Sequence, residues 1–308
     1  MANYLVTGGA GFIGSHISEE LLRRGHRVRV VDSLVTGYQR NLRDGVEFEQ
    51  GDLADPAVAK AAVAGMDYVI HQAAIPSVPR SVEKPEESHR ANIDATLQVL
   101  LASRAARIKR VVFAGSSSVY GDTEVLPKTE VMPTNPLSPY ALQKLMGEMY
   151  LQMFTKLYGL ETVTTRYFNV FGPRQDPGSP YSGVISLFIK ALSEGTPPLI
   201  YGDGEQTRDF TYVANVVDAV LRAADTPGVG GQVFNVATNS RISLNQLLAT
   251  LKKIFGSTVE PIYEPARKGD IHDSQADISK AARLLGYAPT VPFAEGLRRT
   301  LEWAAGRP

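Results

Sequence analysis

The sequence contains no cysteine. It therefore has no disulfide framework, no thiolate nucleophile and no zinc–thiolate site. A metal centre would have to depend on carboxylates and on the five histidines, which are scattered along the chain. We therefore predict that the protein uses no metal.

Excess charge and long apolar runs are also missing. Lysine plus arginine and aspartate plus glutamate number 32 each, so no overall field attracts nucleic acid or an anionic membrane. No apolar run reaches the roughly 18 residues that span a bilayer, and the first residues lack the regions of a signal peptide. These absences favour a cytoplasmic protein with a small-molecule substrate, without a nucleic-acid or membrane partner.

Short β-rich runs alternate with helical patterns through the first half of the 308 residues. This alternation predicts an α/β fold in which a doubly wound parallel sheet carries helices on both faces. A cluster of glycine and proline after Asn169 ends the alternation. We therefore expect a first domain at residues 1–168 and a smaller, mainly substrate-binding α/β domain at residues 169–308, with some segments crossing back.

A glycine-rich turn follows the first β-rich run and opens a helical pattern. Gly8 permits the tight turn, Gly11 lets the backbone approach a pyrophosphate, and Gly14 allows close helix packing. The start of the helix offers free N–H groups and the positive end of its dipole to phosphates. This order favours a dinucleotide site over a plain tight turn, and it makes the first domain the cofactor domain.

Carboxylates end the next two β-rich runs. Asp32 is placed to accept hydrogen bonds from the adenosine ribose and to repel a 2′-phosphate, which favours NAD over NADP. Arg40 and Arg43 could bind a 2′-phosphate, so NADP stays an alternative to NAD. The alternative role for Asp32 is to cap a helix or loop. Asp52, followed by Leu53, can reach the adenine or cap the next helix.

Tyr140 and Lys144 stand four residues apart in a helical pattern. Positions i and i+4 share a helix face, so the ammonium can lie near the phenol and lower its pKa. Such a tyrosine is a candidate general base. Taken alone, the pair could equally be an amphipathic pair on a solvated surface.

The glycine turn together with the Tyr140 and Lys144 pair resembles the extended short-chain dehydrogenase/reductase family, and the resemblance covers nearly the whole chain. It implies that Lys144 also holds the nicotinamide ribose and that Tyr140 faces the substrate. Ser116, after the fifth β-rich run, matches the catalytic serine or threonine of the family. The cofactor-binding residues it implies are Gly8, Gly11, Phe12, Ile13, Gly14, Asp32, Asp52, Leu53, Ala73 and Lys144.

Ser117 and Ser118 indicate which reaction in the family to expect. Nucleotide-sugar dehydratases carry an aspartate and a glutamate at these positions, and the related UDP-glucuronate decarboxylases keep a glutamate at the second. The resemblance therefore implies an NAD-dependent UDP-hexose 4-epimerase that works through a 4-keto sugar. A UDP-glucuronate epimerase or decarboxylase and a noncatalytic NAD-binding scaffold are the alternatives.

The family resemblance also implies a substrate site and a homodimer. Two arginines, Arg208 and Arg267, would anchor the diphosphate. Ser274 takes a position that is tyrosine in some epimerases, and its small size implies room for an N-acetyl group, so that UDP-glucose and UDP-N-acetylglucosamine are both expected substrates. The implied substrate residues are Ser77, Ser117, Ser118, Tyr140, Asn169, Val184, Tyr201, Arg208, Arg267, Asp270 and Ser274. Helices near 86–105 and 140–158 are expected to form the dimer interface.

Overall fold

The computed structural model describes residues 1–176, 183–266 and 272–306. Strands and helices alternate through its first part, as the sequence predicts. The elements are β1 (Asn3–Thr7), α1 (Phe12–Arg23), β2 (Arg27–Asp32), β3 (Val46–Gln50), α2 (Pro56–Val63), β4 (Tyr68–His71), α3 (Val78–Glu83), α4 (Pro85–His89), α5 (Ala95–Ala105), β5 (Arg110–Ser116), α6 (Pro139–Tyr158) and β6 (Thr162–Tyr167). One π-helical turn, Arg90–Asp94, joins α4 to α5.

Shorter elements follow β6. They are β7 (Val170–Phe171), α7 (Val184–Ser193), β8 (Leu199–Tyr201), β9 (Thr207–Arg208), β10 (Thr211–Tyr212), α8 (Val213–Asp225), β11 (Gln232–Val236), β12 (Ile242–Ser243), α9 (Leu244–Phe255), β13 (Ile262–Glu264), α10 (Ser279–Leu285) and α11 (Phe293–Ala305).

Seven strands of the described chain form one parallel sheet, in the order β11-β6-β5-β4-β1-β2-β3. Because the strands are parallel, all their carboxyl ends meet at one edge, where ligands bind in open α/β sheets. The edge strand β11 comes from the C-terminal part of the chain and pairs with β6. The division into domains at residue 168 stays a prediction.

The two faces of the sheet follow from the alternation of side chains along each strand. In β1, Tyr4 and Val6 pack on the side of α1, α8 and α10, whereas Leu5 packs on the side of α2, α5 and α6. In β5, Val112 and Val111 divide in the same way. Strands that bury both faces read as continuous apolar runs, which explains the composition of these segments.

Helix α6 carries the candidate catalytic pair, and its ends are well defined. The Ser138 side chain accepts a hydrogen bond from the backbone of Ala141, and Pro139 occupies the first turn, where its missing N–H costs nothing. Gly159 ends the helix in the left-handed region at φ 70°. The Tyr140 and Lys144 positions therefore lie in the first two turns of a helix with a fixed start.

Beyond the large sheet, three two-stranded sheets pair β7 with β10, β9 with β12 and β8 with β13. Helices α7, α9 and α11 pack around a separate apolar core that includes Phe171, Phe188 and Leu247. This core holds the short strands close to the carboxyl edge of the main sheet. None of the described helices has both the length and the hydropathy needed to cross a bilayer.

Candidate active site

The carboxyl edge of the parallel sheet opens into a cavity of about 1040 Å³. We call it the large cavity. Fourteen of the residues predicted at the site line it: Gly8, Gly11, Phe12, Ile13, Gly14, Asp32, Asp52, Leu53, Ala73, Ser77, Ser116, Tyr140, Lys144 and Asn169. The structure therefore brings together residues that are up to 161 positions apart in the chain, from Gly8 to Asn169.

The glycine turn at β1 is closely packed on two sides. Gly8 has φ 66°, and a Cβ there would lie 2.7 Å from the backbone of Ala73. A Cβ on Gly14 would lie 2.3 Å from the carbonyl oxygen of Gly8. Gly11, in contrast, would meet only that oxygen, at 3.2 Å. Within the described chain no side chain caps the start of α1, so its first N–H groups are available to an anion.

Asp32 is held in place by the loop that it faces. One carboxylate oxygen accepts from the Ala10 backbone at 3.0 Å and the other from Leu34 at 2.8 Å. Burial raises the pKa of Asp32, and these backbone hydrogen bonds oppose the rise. The glycine cradle, the free N–H groups and this fixed acceptor match the phosphates and ribose of a dinucleotide, so the residues present fit NAD.

Tyr140, Lys144 and Ser116 meet at the middle of the edge. The Lys144 Nζ donates to the carbonyl oxygen of Ala114 at 2.9 Å, and it lies 5.9 Å from the centre of the Tyr140 ring. The Ser116 hydroxyl, on the same cavity wall, lowers the pKa of the Tyr140 phenol. A serine, a phenol and an amine thus line one wall of the large cavity.

The charge state of the tyrosine differs from the sequence-based expectation. Burial raises the pKa of Tyr140 to about 12, and only Ser116 opposes the rise. Burial also lowers the pKa of Lys144 to about 8. The expected lowering of the phenol pKa by Lys144 is therefore wrong, because the loss of hydration outweighs the effect of a lysine whose Nζ donates to the Ala114 carbonyl.

The serines after β5 form a local network. The Ser116 Oγ accepts from the Ser118 backbone at 3.2 Å and lies 2.9 Å from the Ser118 hydroxyl. Ser117 and Ser118 do not line the large cavity as Ser116 does. Ser77 does line it, and its hydroxyl also caps α3 by accepting from the backbone of Arg80 at 3.1 Å.

A second cavity of about 300 Å³, which we call the small cavity, adjoins the first. Val184, Tyr201 and Arg208, all predicted at the substrate, line it. The Arg208 guanidinium is anchored by the carbonyl oxygens of Thr207 at 2.8 Å and His272 at 2.9 Å. Asn169, at φ 32°, lines both cavities and so stands at their junction.

The remaining predicted residues are not gathered by the described structure. Ser274 is buried, its backbone donates to Thr207 at 3.1 Å, and it lines neither cavity. Arg267 and Asp270 lie outside the described residues. The second arginine predicted for the diphosphate therefore stays a prediction.

Sequence reasoning missed several residues of the cavity walls. Gln72 and Tyr167 line the large cavity and hydrogen-bond each other, with the amide donating to the phenol oxygen at 2.9 Å. Tyr167 pairs in register with Ser116, so its place at a strand end was a usable signal. Gln175 lines both cavities, and Arg80 and Arg90 line the large one, but they lie beyond the strand ends and have no such signal.

Sequence and structure are similar to those of proteins named as UDP-sugar 4-epimerases. The chain is 40% identical over 301 residues to the putative UDP-glucose 4-epimerase of Methanocaldococcus jannaschii, with 97% of each chain covered. It superposes at a TM-score of 0.95 on the UDP-N-acetylglucosamine 4-epimerase of Methanobrevibacter ruminantium, solved with UDP-N-acetylmuramic acid, at 41% identity over 99% of this chain and 98% of the other. The TM-score is also 0.95 for the UDP-glucose 4-epimerase of Thermotoga maritima with UDP-glucose, at 39% identity over 98% of each chain.

The family model for NAD dependent epimerases and dehydratases matches residues 4–237. That span includes the glycine turn, the carboxylates after β2 and β3, and the Tyr140 and Lys144 pair. The similarity of sequence and fold therefore agrees with the resemblance of the motifs and with the fit to a dinucleotide. This chain belongs to the NAD dependent epimerase/dehydratase family.

Proposed function

We propose that this protein is an NAD-dependent 4-epimerase of UDP-hexoses. It interconverts UDP-glucose and UDP-galactose, and it also accepts the N-acetylated pair. The observation that carries the proposal is the meeting of Tyr140, Lys144 and Ser116 on one cavity wall, with serines at positions 117 and 118. The relatives with this fold act on UDP-sugars, as their names state.

The residues divide the chemistry between them. The Tyr140 phenol exchanges a proton with the C4 hydroxyl of the sugar, and the nearby Ser116 hydroxyl, which lowers the pKa of the phenol, steadies that proton. Lys144, anchored on Ala114, is placed to hold the nicotinamide ribose. NAD, when bound, supplies a hydride acceptor and a positive charge that favours the phenolate.

The sugar must turn between the two halves of the reaction, because C4 is oxidised on one face and reduced on the other. The nucleotide must meanwhile stay bound. The small cavity supplies the anchor, with Arg208 for the diphosphate and with Tyr201 and Val184 on its walls. Asn169, at the junction of the two cavities, lies between the anchor and the phenol.

The dehydratases and decarboxylases of the family use carboxylates after the fifth strand, and this chain has none at those two positions. An elimination of water needs an acid and a base beside the sugar, and the segment after β5 offers Ser117 and Ser118. Proton NMR of the protein with UDP-galactose, UDP-N-acetylgalactosamine and UDP-glucuronate tests the proposal. Conversion of the first two to their C4 epimers is expected, with Tyr140→Phe as the inactive control. Loss of carbon dioxide from the third substrate, or no conversion of any, would contradict it.

The proposal includes a homodimer through the outer faces of α5 and α6. Apolar side chains seven or four positions apart, and so on one face of α6, are exposed: Leu142, Met149, Met153 and Leu157 in series, with Leu101 on α5. Such a stripe matches a helix-pairing surface. Light scattering with the Met149→Glu, Met153→Glu double variant should give a monomer, whereas Val131→Glu, on an exposed loop, should leave a dimer. A monomeric parent protein would disprove the dimer.

A further inference from the structure

The first N–H group of helix α6 belongs to Tyr140, because Pro139 before it has none. The first N–H groups of a helix have no acceptor within that helix. Those of Ala141 and Leu142 donate to the Ser138 side chain at 3.1 Å and to the Ser138 carbonyl oxygen at 3.0 Å. For the N–H of Tyr140, the acceptor comes from another helix.

That acceptor is a serine of helix α3. The Ser81 Oγ accepts from the Tyr140 backbone nitrogen at 3.0 Å. The same hydroxyl donates to the carbonyl oxygen of Val78 at 2.6 Å, so its proton is used there and its oxygen is left to accept. Ser81 is fully buried, with 0% of its surface exposed. Bulk water therefore cannot take the place of this serine as the acceptor.

The start of α3 lies at the large cavity. Ser77 lines that cavity, and its hydroxyl accepts from the Arg80 backbone at 3.1 Å. Its carbonyl oxygen accepts from the backbone of Ser81 at 3.0 Å. Helix α3 is thus a short connection between the cavity wall and the first turn of α6.

The first turn of α6 determines where the phenol lies. Long side chains on a helix lean towards its N-terminus, so the position of the Tyr140 ring depends on this turn. Helix ends are also the parts of a helix that fray. Lys144, one turn later, is fixed separately by its hydrogen bond to the Ala114 carbonyl oxygen at 2.9 Å. A tilt of the first turn would therefore move the phenol and leave the amine in place.

We propose that Ser81 is a positioning residue, which holds Tyr140 in place for proton transfer by fixing the first turn of α6 against α3. The inference rests on the proposed role of Tyr140 as the group that exchanges the proton. Ser81 itself lines neither cavity, so it acts through Tyr140. Loss of its hydroxyl should slow the chemical step and leave the binding of both ligands unchanged.

Steady-state kinetics of Ser81→Ala with UDP-galactose test the inference. A displacement of about 1 Å at a reacting group costs up to about 100-fold in rate, so kcat should fall about 10- to 100-fold. KM for UDP-galactose should stay within about twofold of the parent value, as for an interaction that matters only in the transition state. Calorimetry should likewise give an unchanged dissociation constant for NAD.

Thr155 provides a matched control in the last turn of α6. Its hydroxyl also donates to a backbone carbonyl oxygen, that of Leu160 at 2.8 Å, and it also accepts from a backbone N–H, that of Thr162 at 3.1 Å. It lines neither cavity. Thr155→Ala loses the same two kinds of hydrogen bond, so its unfolding midpoint in urea should fall as that of Ser81→Ala does. Its kcat should equal that of the parent protein.

Two further variants separate hydrogen bonding from packing. Ser81→Thr keeps a hydroxyl that can still donate to the carbonyl oxygen three residues earlier. Its extra methyl group overpacks a buried site, so stability should fall while kcat stays within about threefold of the parent value. Ser81→Cys keeps the approximate size of serine with a weaker acceptor, so its kcat should lie between those of Ser81→Thr and Ser81→Ala. The order of kcat should follow acceptor strength, not the order of unfolding midpoints.

A kcat for Ser81→Ala within about threefold of the parent value would overturn the inference, because one lost hydrogen bond would then have no effect on the reaction. Values of kcat that follow the unfolding midpoints, with Thr155→Ala included, would overturn it as well. If Ser81→Ala does not fold, equal kcat values for Ser81→Thr and Ser81→Cys would have the same meaning. A parent protein inactive towards every UDP-sugar would instead disprove the proposed function, and this inference with it.

Discussion

The proposed cofactor end and the proposed substrate end of the candidate active site are built in different ways. At the cofactor end, the side chains come from the last residue of a strand or the first residues after it, as with Asp32, Asp52 and Ser116. At the substrate end they come from short strands and from loops, as with Tyr201 and Arg208. Parallel strands place their ends at one edge automatically, whereas the substrate end depends on contacts between distant segments.

This difference predicts where substitutions act. A change at the cofactor end alters backbone packing, proton transfer or protonation, and it should strongly affect folding or catalysis. A change at the substrate end alters the shape of a cavity wall, and it should mainly affect the choice of sugar. Four substitutions or conditions test the contrast, from the largest expected effect to the smallest.

Removal of the Tyr140 hydroxyl should have the largest effect. Tyr140→Phe keeps the ring and deletes the hydroxyl that we propose exchanges the proton. A general base or acid contributes a factor of about 10²–10⁴ in rate, so kcat for UDP-galactose should fall at least about 100-fold. The NAD dissociation constant should stay within about twofold of that of the parent protein. Stopped assays of kcat and calorimetry of NAD give both numbers. A variant with more than a tenth of the parent kcat would show that another group moves the proton.

The two glycines of the cradle should respond in opposite ways. In Gly14→Ala the new Cβ would lie 2.3 Å from the Gly8 carbonyl oxygen, so α1 must shift, and overpacking of this kind costs about 1–3 kcal/mol. In Gly11→Ala the nearest atom is at 3.2 Å and the backbone, at φ −77°, suits any residue. Gly11→Ala should therefore fold almost normally and bind NAD weakly, because its Cβ enters the place of the phosphates.

Urea unfolding and NAD titration of the two variants check this prediction. Gly14→Ala should have the lower unfolding midpoint. Gly11→Ala should keep a midpoint near that of the parent and show a clear rise in the NAD dissociation constant. A Gly11→Ala protein that binds NAD like the parent would place the phosphates elsewhere. Gly25→Ala, where a Cβ meets nothing within 4 Å but φ is 79°, serves as a control for backbone strain alone.

The cofactor end also contains a buried histidine whose proton positions follow from its partners. The Thr96 hydroxyl donates to the carbonyl oxygen of Asn92 at 2.6 Å, so it must accept from the His71 Nε2, 3.0 Å away. The His71 Nδ1 then carries no proton and accepts from the Thr7 hydroxyl at 2.7 Å. Thr7 in turn accepts from the backbone of Ala73 at 3.2 Å. The chain of hydrogen bonds needs a neutral imidazole.

Acid should therefore destabilise the protein through His71. Burial lowers the pKa of His71 from 6.5 to about 3. Between these values the unfolded chain binds a proton that the folded protein does not, so stability is complete above pH 6.5 and falls as the pH drops towards 3. Over two pH units this amounts to about 3 kcal/mol. Urea unfolding at pH 6.5 and 4.5 measures it.

A matched pair of variants assigns the effect to this residue. His71→Gln should be less stable at neutral pH and should lose less stability in acid, since it binds no proton. His89→Gln, which changes an exposed histidine, should follow the parent protein at both values. An equal acid loss in the parent and in His71→Gln would show that other groups cause it.

The contrast between the two ends also explains what the sequence could predict. The helix expected near 140–158 occurs at Pro139–Tyr158, because its Ser138 and Gly159 caps are local signals. The cofactor residues were predictable for the same reason, since each follows a readable strand. The π-helical turn at Arg90–Asp94 has no such signal. It follows from tertiary contacts of Asn92, whose side chain bonds the backbone of Ile75 and the amide of Gln143.

The placement of residues at the substrate end had no local signal. Thr207 and Asp273 form a bridge, and the Thr207 backbone accepts from Ser274 at 3.1 Å, although about 66 positions separate these segments. Sequence spacing cannot show such a contact. The pKa of Tyr140 was missed for a related reason, because the degree of burial depends on the whole fold and outweighs the nearby amine.

The smallest expected effect concerns the choice of sugar at Ser274. This side chain is buried, and its backbone bonds Thr207, the neighbour of Arg208 on the wall of the second cavity, so we expect a larger residue to displace that wall. Ser274→Tyr should lower kcat/KM for UDP-N-acetylglucosamine about tenfold and change that for UDP-glucose by less than threefold, in line with the value of one or two displaced methyl-sized groups. Ser274→Ala, which adds no bulk, should leave the ratio unchanged. Equal losses of kcat/KM for both sugars in Ser274→Tyr would mean that this position supports the fold of the substrate end and does not discriminate between the two sugars.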